Sequence, residues 1–231
     1  MNRHTSSQFD QELEEIRTKI LRMGGQVEEM IKGALVGFST ANRDQLNGVL
    51  VLEKEVNSAE MEIDEICNKV IAKRQPTASD LRFLVACLKM IRDLERAGDE
   101  AEKMARMALH FYEGSPLPFP RIDFTAMSTH VTSMLHQSLD AFAREDESTL
   151  TNVIKEDKVV DEHFRNHIRL LISYVLEDAR TISRSIDMLF FAKAMERIGD
   201  HSKNMAEHVV YMVRGRDIRH TEPEALDISK D

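Results

Sequence analysis

The sequence predicts an all-α protein: two tandem antiparallel three-helix bundles related by an internal repeat. Three observations lead there. First, the 231 residues include only 5 prolines and 9 glycines, while Ala, Leu, Met, Glu and Lys are abundant, a mixture that favours helix over strand. Second, apolar residues recur three and four apart over long stretches, as on helices that bury one face. Third, the chain matches itself. At an offset of 104, Met23, Val27, Met30, Leu35, Phe38, Leu46, Val49, Lys54 and Val56 fall on identical residues at Met127, Val131, Met134, Leu139, Phe142, Leu150, Val153, Lys158 and Val160. Thr77 falls on Thr181 in the same register. After a three-residue deletion the offset becomes 101, and Glu95-Arg96-Ala97-Gly98-Asp99 falls on Glu196-Arg197-Ile198-Gly199-Asp200. Self-similarity on this scale marks one structural unit used twice.

The elements follow in order. Leu13, Ile16, Ile20, Met23, Val27, Met30 and Ala34 form one continuous seam on the first helix, which fades into a turn near Ser39–Asn42. Asp44 opens a second helix with Leu46, Val49, Val56, Ile63 and Val70 inward, and Pro76 ends it, because proline has no N–H to continue the ladder. Thr77 and Asp80 read as a capping box for the third helix. Its seam is Cys87, Met90, Leu94, Ala97, Ala101, Met104, Ala108 and Phe111. The proline-rich run from Gly114 to Pro120 then separates the halves. The second half repeats the plan with helices over about Phe124–Ala143, Ser148–Glu177 and Ile182–Arg214. In the last of these Met188, Phe191, Met195, Ile198, Met205, Val209 and Met212 point inward. Residues 1–114 thus form the first repeat, 121–214 the second, and 215–231 a polar tail. Short connections make neighbouring helices antiparallel.

Charge and composition narrow the function. The net charge is −9, with no Lys/Arg-rich block and no basic-aromatic interleaving, so a nucleic-acid partner is not expected. The same sign disfavours docking on an anionic membrane. Residues 1–10 are polar and carry no apolar signal core, and no run of 18 apolar residues exists, so the expectation is a cytoplasmic protein without a membrane span. Cys67 and Cys87 fit no metal-ligand spacing and fall on helical seams, as buried reduced thiols would. No P-loop, dinucleotide fingerprint or nucleophile elbow is present, and no catalytic residue is assigned.

The chemistry-bearing residues are carboxylates. Glu95 and Asp99, and again Glu196 and Asp200, stand four apart on a third helix, where like charges repel. Asn204 extends the second row by one more turn, and Lys103 takes the matching place in the first. On the second helices Glu53 and Asp157 interrupt apolar seams, with Asn57 and Asp161 four residues on. Oxygen donors on successive turns of facing helices suit a hard or borderline cation, Mg, Mn, Fe or Zn. Ion pairing with Arg92, Arg96 and Arg197 is the competing reading of the same residues. The glycine inside each ERxGD costs about 1 kcal/mol of helix propensity and suggests a closely packed neighbour. His163 and His167, and His201 and His208, are expected at the surface.

These residues resemble a known family. The segments QFDQELEEIRTKILRMGG, IAKRQPTASDLR, DLERAGD, MLHQSLDAFAR, KEDKVVD, LEDARTI and AMERIGD make the chain look like the PhoU family of phosphate-transport accessory regulators, in its proteobacterial form, over nearly its whole length. The resemblance implies a PhoU-like fold and a cytoplasmic, non-enzymatic negative regulator of the phosphate-starvation regulon. Its implied partners are the ATPase subunit of the high-affinity phosphate ABC importer and a sensor histidine kinase, so it meets the membrane only through them. A homodimer and a modulation of phosphate uptake are implied too. So is a multinuclear metal cluster, which carries over onto Glu95, Asp99, Glu196, Asp200 and Asn204, with Glu53, Asn57, Asp157 and Asp161 opposite. A carboxylate-bound metal protein with a redox or storage role is the alternative, although the Glu-x-x-His hallmark of such bundles is missing beside either ERxGD.

Overall fold

A computed structural model describes residues 3–113, 119–216 and 218. Six long helices account for nearly all of them: α1 (Arg3–Thr40), α2 (Arg43–Arg74), α3 (Ala78–Glu113), α4 (Thr125–Arg144), α5 (Leu150–Glu177) and α6 (Ile182–Arg214). The segment 114–118 and, apart from residues 215, 216 and 218, the tail lie outside the described residues.

Local chemistry fixes the helix ends. The α1–α2 turn places Ala41 at φ 52, and the Asn42 side chain accepts from the Gln45 N–H at 3.1 Å. The helix is therefore capped by Asn42, two residues before the Asp44 start expected from the sequence. Gln75 ends α2 in the left-handed region and its N–H reaches the Ile71 carbonyl. At the head of α3, Thr77 donates to the Asp80 carboxylate at 3.3 Å, so the two side chains of the expected box meet each other. In the second repeat, Asp146 and Asp178 each accept a backbone N–H two residues on. Each opens a 3-10 turn (Glu147–Thr149 and Ala179–Thr181) that runs straight into α5 or α6. The expected start at Ser148 falls inside the first of these turns.

The apolar seams of α1, α2, α3 and α6 are buried as expected, apart from the partly exposed Leu13. They merge into one core rather than two, because α3 and α6 pack together more extensively than any other pair. Asp93 meets Asn204, Glu100 meets Arg197, and His110 meets Asp187. Residue numbers rise on α3 as they fall on α6, so the two central helices run antiparallel, and the two ERxGD segments cross at the same level. α1 lies on α2 and α3, α4 lies on α5 and α6, and α1 touches α4. That last contact is close at Gly24, where a Cβ would lie 2.5 Å from the Leu139 side chain. Further links between the halves are aromatic. Phe38 of α1 packs on Phe124 and Phe191 at 5.7 and 4.9 Å, and Arg184 of α6 sits 4.0 Å over the Phe111 ring. No helix among the described residues is long and apolar enough to cross a membrane.

Candidate functional site

The two ERxGD helices carry their carboxylates outward from the α3–α6 core. In the second repeat, the structure brings Glu196, Asp200 and Asp157 within electrostatic reach of one another. Partial burial, then the charges of Glu196 and Asp157, push the Asp200 carboxyl above its ordinary range. The charge is offset by lysines. Lys203 donates to Asp157 at 2.7 Å, and Lys193 donates to Glu196 at 2.7 and 2.5 Å. In the first repeat, burial and then Asp99 and Glu60 raise the Glu95 carboxyl, while burial and then Glu102 and Glu100 raise Asp99. Glu60, one helical turn beyond Asn57 on α2, joins this face although sequence reasoning passed over it. Its signal was a third acidic or amide residue in the Glu53, Asn57, Glu60 row.

Not every expected member joins. Asp161 turns outward and pairs with Arg165 on its own helix at 3.3 Å. Asn204 leaves the ladder altogether: eight residues beyond Glu196, the 100° helical step has rotated it towards α3. There its amide donates to Asp93 at 3.2 Å. Lys103 does help to hold the Asp99 charge, but its ammonium donates to both Glu100 carboxylate oxygens at 2.9 Å. Asn57 donates to Glu53 while its own carbonyl oxygen is buried without a partner.

That orphaned oxygen on α2 and the raised Glu95 and Asp99 carboxyls on α3 both bear on a bound cation. An all-oxygen donor set fits a hard or borderline ion, and an ion would relieve both the unpaired Asn57 oxygen and the mutual repulsion. Glu53, Asn57, Glu60, Glu95 and Asp99 would hold it in the first repeat, and Asp157, Glu196 and Asp200 in the second. Among the described residues, no three His, Cys, Asp or Glu side chains already converge as a chelate. In the second repeat Lys203 and Lys193 already neutralise part of this charge, at Asp157 and Glu196.

The buried polar centre of the molecule is elsewhere, in a cluster the sequence did not disclose. Asp93 on α3 accepts from His201 at 2.9 Å, His208 at 3.0 Å and Asn204 at 3.2 Å, all on α6. Burial pushes the Asp93 carboxyl up, yet the three hydrogen bonds outweigh it and hold the group well below the usual carboxylate range. His201 and His208 are therefore buried, not at the surface. The reason is that α6 is enclosed by α3, α4 and α5, so its polar residues must find partners inside. His167 is likewise 9% exposed, between the His163 and Asp123 carbonyls, whereas His163 is half-buried as part of the outer α5 face. On the other side of the same interface Glu100, 5% exposed, meets Arg197 at 3.3 Å. Both motif glycines do face neighbours. A Cβ on Gly98 would sit 3.3 Å from Val56, and one on Gly199 3.6 Å from Met134 and Val160.

Comparison with known proteins agrees with this architecture. The family model described as "PhoU domain" matches the chain twice, over residues 20–108 and 124–209. A relative from Edwardsiella tarda, named "Phosphate-specific transport system accessory protein PhoU", is 42% identical over 98% of this chain and 93% of its own length. One of the same name from Escherichia coli (strain K12) is 41% identical over 98% and 94%. The crystal structure of PhoU from Pseudomonas aeruginosa superposes with a TM-score of 0.85 at 39% identity, covering 90% of this chain and all of that one. A Streptococcus pneumoniae structure, titled as the phosphate transport system regulatory protein PhoU, shares the fold at a TM-score of 0.83 and 24% identity. With two copies of the domain and relatives matched over nearly their whole length, this chain belongs to the PhoU family.

Proposed function

We propose that this protein is a negative regulator of the phosphate-starvation regulon. It acts in the cytoplasm as an adaptor between a phosphate ABC importer, at its ATPase subunit, and a sensor histidine kinase, and it modulates phosphate uptake. The observation that carries the reading is the nearly full-length match to relatives named as accessory proteins of a phosphate-specific transport system. The architecture suits an adaptor: six helices locked across one polar and aromatic interface give a rigid body with long exposed faces. The carboxylate faces are read as sites for a structural cation that fixes the outer helices and shapes a docking surface. The working unit is a homodimer. Exposed Ile172 and Leu176 on α5, with Ile182, Ile186 and Phe190 on α6, supply apolar surface for it.

The test is an in-frame deletion with an alkaline phosphatase reporter in high phosphate. Derepression, reversed by a plasmid copy, is the expected outcome. Repression that survives deletion would end the regulatory reading. A plasmid copy with Glu196→Ala and Asp200→Ala together should lose bound metal and weaken repression. Loss of metal with repression intact would make the metal incidental. Oxygen consumption by the iron-loaded protein would favour the redox or storage alternative.

A further inference from the structure

The internal repeat supplies its own control, since equivalent positions can be compared within one chain. Between α4 and α5 of the second repeat, the outer groove is filled by polar side chains. Gln137 donates to Ser133 and Glu156, and Asn152 donates to Gln137 and Glu156. At the same offset of 104, the first repeat has Gly33 for Gln137, Gly48 for Asn152, Leu52 for Glu156 and Gly25 for Thr129. The groove between α1 and α2 is hollow there, with a volume of about 1320 Å³.

Internal packing explains only part of this. Gly33 is needed, because a Cβ would come within 2.9 Å of Val49. At Gly25 and Gly48 a Cβ would meet nothing within 4 Å. Each of these two glycines gives up about 1 kcal/mol of helix propensity relative to alanine with no neighbour inside the molecule to require it. The walls are apolar and open: Val51 is 62% exposed and Val36 36%, where the second repeat has Lys155 and Asp140. The rim is acidic. Glu28, Glu29 and Glu55 line the groove against one cation, Lys32. Among the described residues, no lysine or arginine pairs with any of the three: Glu28 meets His136 and Glu55 accepts from the Gln26 amide. From Gly25 to Val36 the wall runs about 16 Å at 1.5 Å per residue, roughly three helical turns.

We infer that the α1–α2 groove of the first repeat is a docking site for an amphipathic helix of a partner protein, with an apolar face and basic flanks. The missing side chains of Gly25 and Gly48 let a helix approach closely, Val36 and Val51 receive its apolar face, and the acidic rim selects its charge, as helix-in-groove recognition requires. This deepens the adaptor reading by assigning one of its surfaces, and it is tested separately from repression.

The probe is a fluorescein-labelled 14-residue Leu/Lys amphipathic peptide, titrated with the full chain and followed by anisotropy. A Leu/Glu peptide of the same pattern is the charge control. The variants are Gly25→Thr and Gly48→Asn, which install the second repeat's residues in open space and so leave the fold intact. The expected result is saturable binding of the Leu/Lys peptide, at least tenfold weaker in each variant and with the Leu/Glu peptide, while thermal stability stays equal or rises. Unchanged binding in both variants, equal affinity for the two peptides, or no saturable binding with the full chain in large excess over the labelled peptide would overturn the proposal. If sedimentation velocity showed a wild-type dimer that Gly48→Asn dissolves, the groove would hold a second copy of the chain instead. A Gly48→Asn copy that lost peptide binding but still repressed would leave the regulatory reading standing and remove the groove from it.

Discussion

Replacing Asp93 with alanine tests the claim that the two bundles are joined by a buried polar cluster. The variant removes one carboxylate and leaves His201, His208 and Asn204 facing a gap. A hydrogen bond to a charged group contributes about 1.5–3 kcal/mol, and removing one member of a buried charged set costs about 3–5 kcal/mol rather than the full sum. For a chain of this size, each kcal/mol moves Tm by about 2–4 °C, so a fall of about 6–20 °C is expected. The site itself accepts alanine: the equivalent position in the second repeat is Ala194, 1% exposed. The cost is therefore the stranded partners, not lost volume. A pH signature separates this from a packing defect. The folded carboxyl titrates well below the ordinary range, so its contribution is complete above the unfolded value of about 3.9 and is lost as pH falls towards the folded one. Urea unfolding followed by far-UV circular dichroism at pH 7, and again between pH 4 and 2, measures both. The wild type should lose stability more steeply in acid than Asp93→Ala. A loss under about 1 kcal/mol at pH 7, or identical acid slopes, would refute the reasoning.

Asp200→Asn should stabilise the metal-free protein at neutral pH by about 0.2–0.5 kcal/mol, the cost of one like-charged pair four residues apart. The sign follows from its raised carboxyl: protonation favours the folded form, so stability declines as pH rises through that range. The same variant should lose any stabilisation by added Mn or Mg in a thermal shift assay, and metal-independent destabilisation would contradict the repulsion argument. Gly199→Ala should gain up to about 1 kcal/mol of helix propensity, because its Cβ lands at 3.6 Å, an ordinary contact. Gly37→Ala should instead lose stability in the same denaturant assay, since its Cβ would lie 2.6 Å from Leu46 and overpacking costs about 1–3 kcal/mol. Burial pushes the Cys67 thiol up to about 12 and Cys87 well above its usual value. Neither should react with iodoacetamide at pH 8 until the protein is unfolded, and modification of the folded chain would show the core to be open there.

The helices, their order and their inward faces are legible in the sequence, because a 3.6-residue period and a long repeat are local properties of the chain. So are the ERxGD carboxylates, since repulsion four residues apart is written into one helix. Which of them gather was another matter. Asp200 finds Asp157 and Lys203, Glu95 finds Glu60, and Asp161 turns away, according to how neighbouring helices are rotated. Asn204 shows the limit most clearly: it continues the ladder in number, but helical rotation carries it into the interface. His201 and His208 read as surface residues because nothing local reveals that α6 is enclosed on three sides. It takes the packing of α3 on α6 to bring these side chains to Asp93, more than a hundred residues earlier, and to merge the two repeats into a single core. Contacts of that separation depend on the packing of whole helices, and a spacing pattern within any one helix carries no record of them.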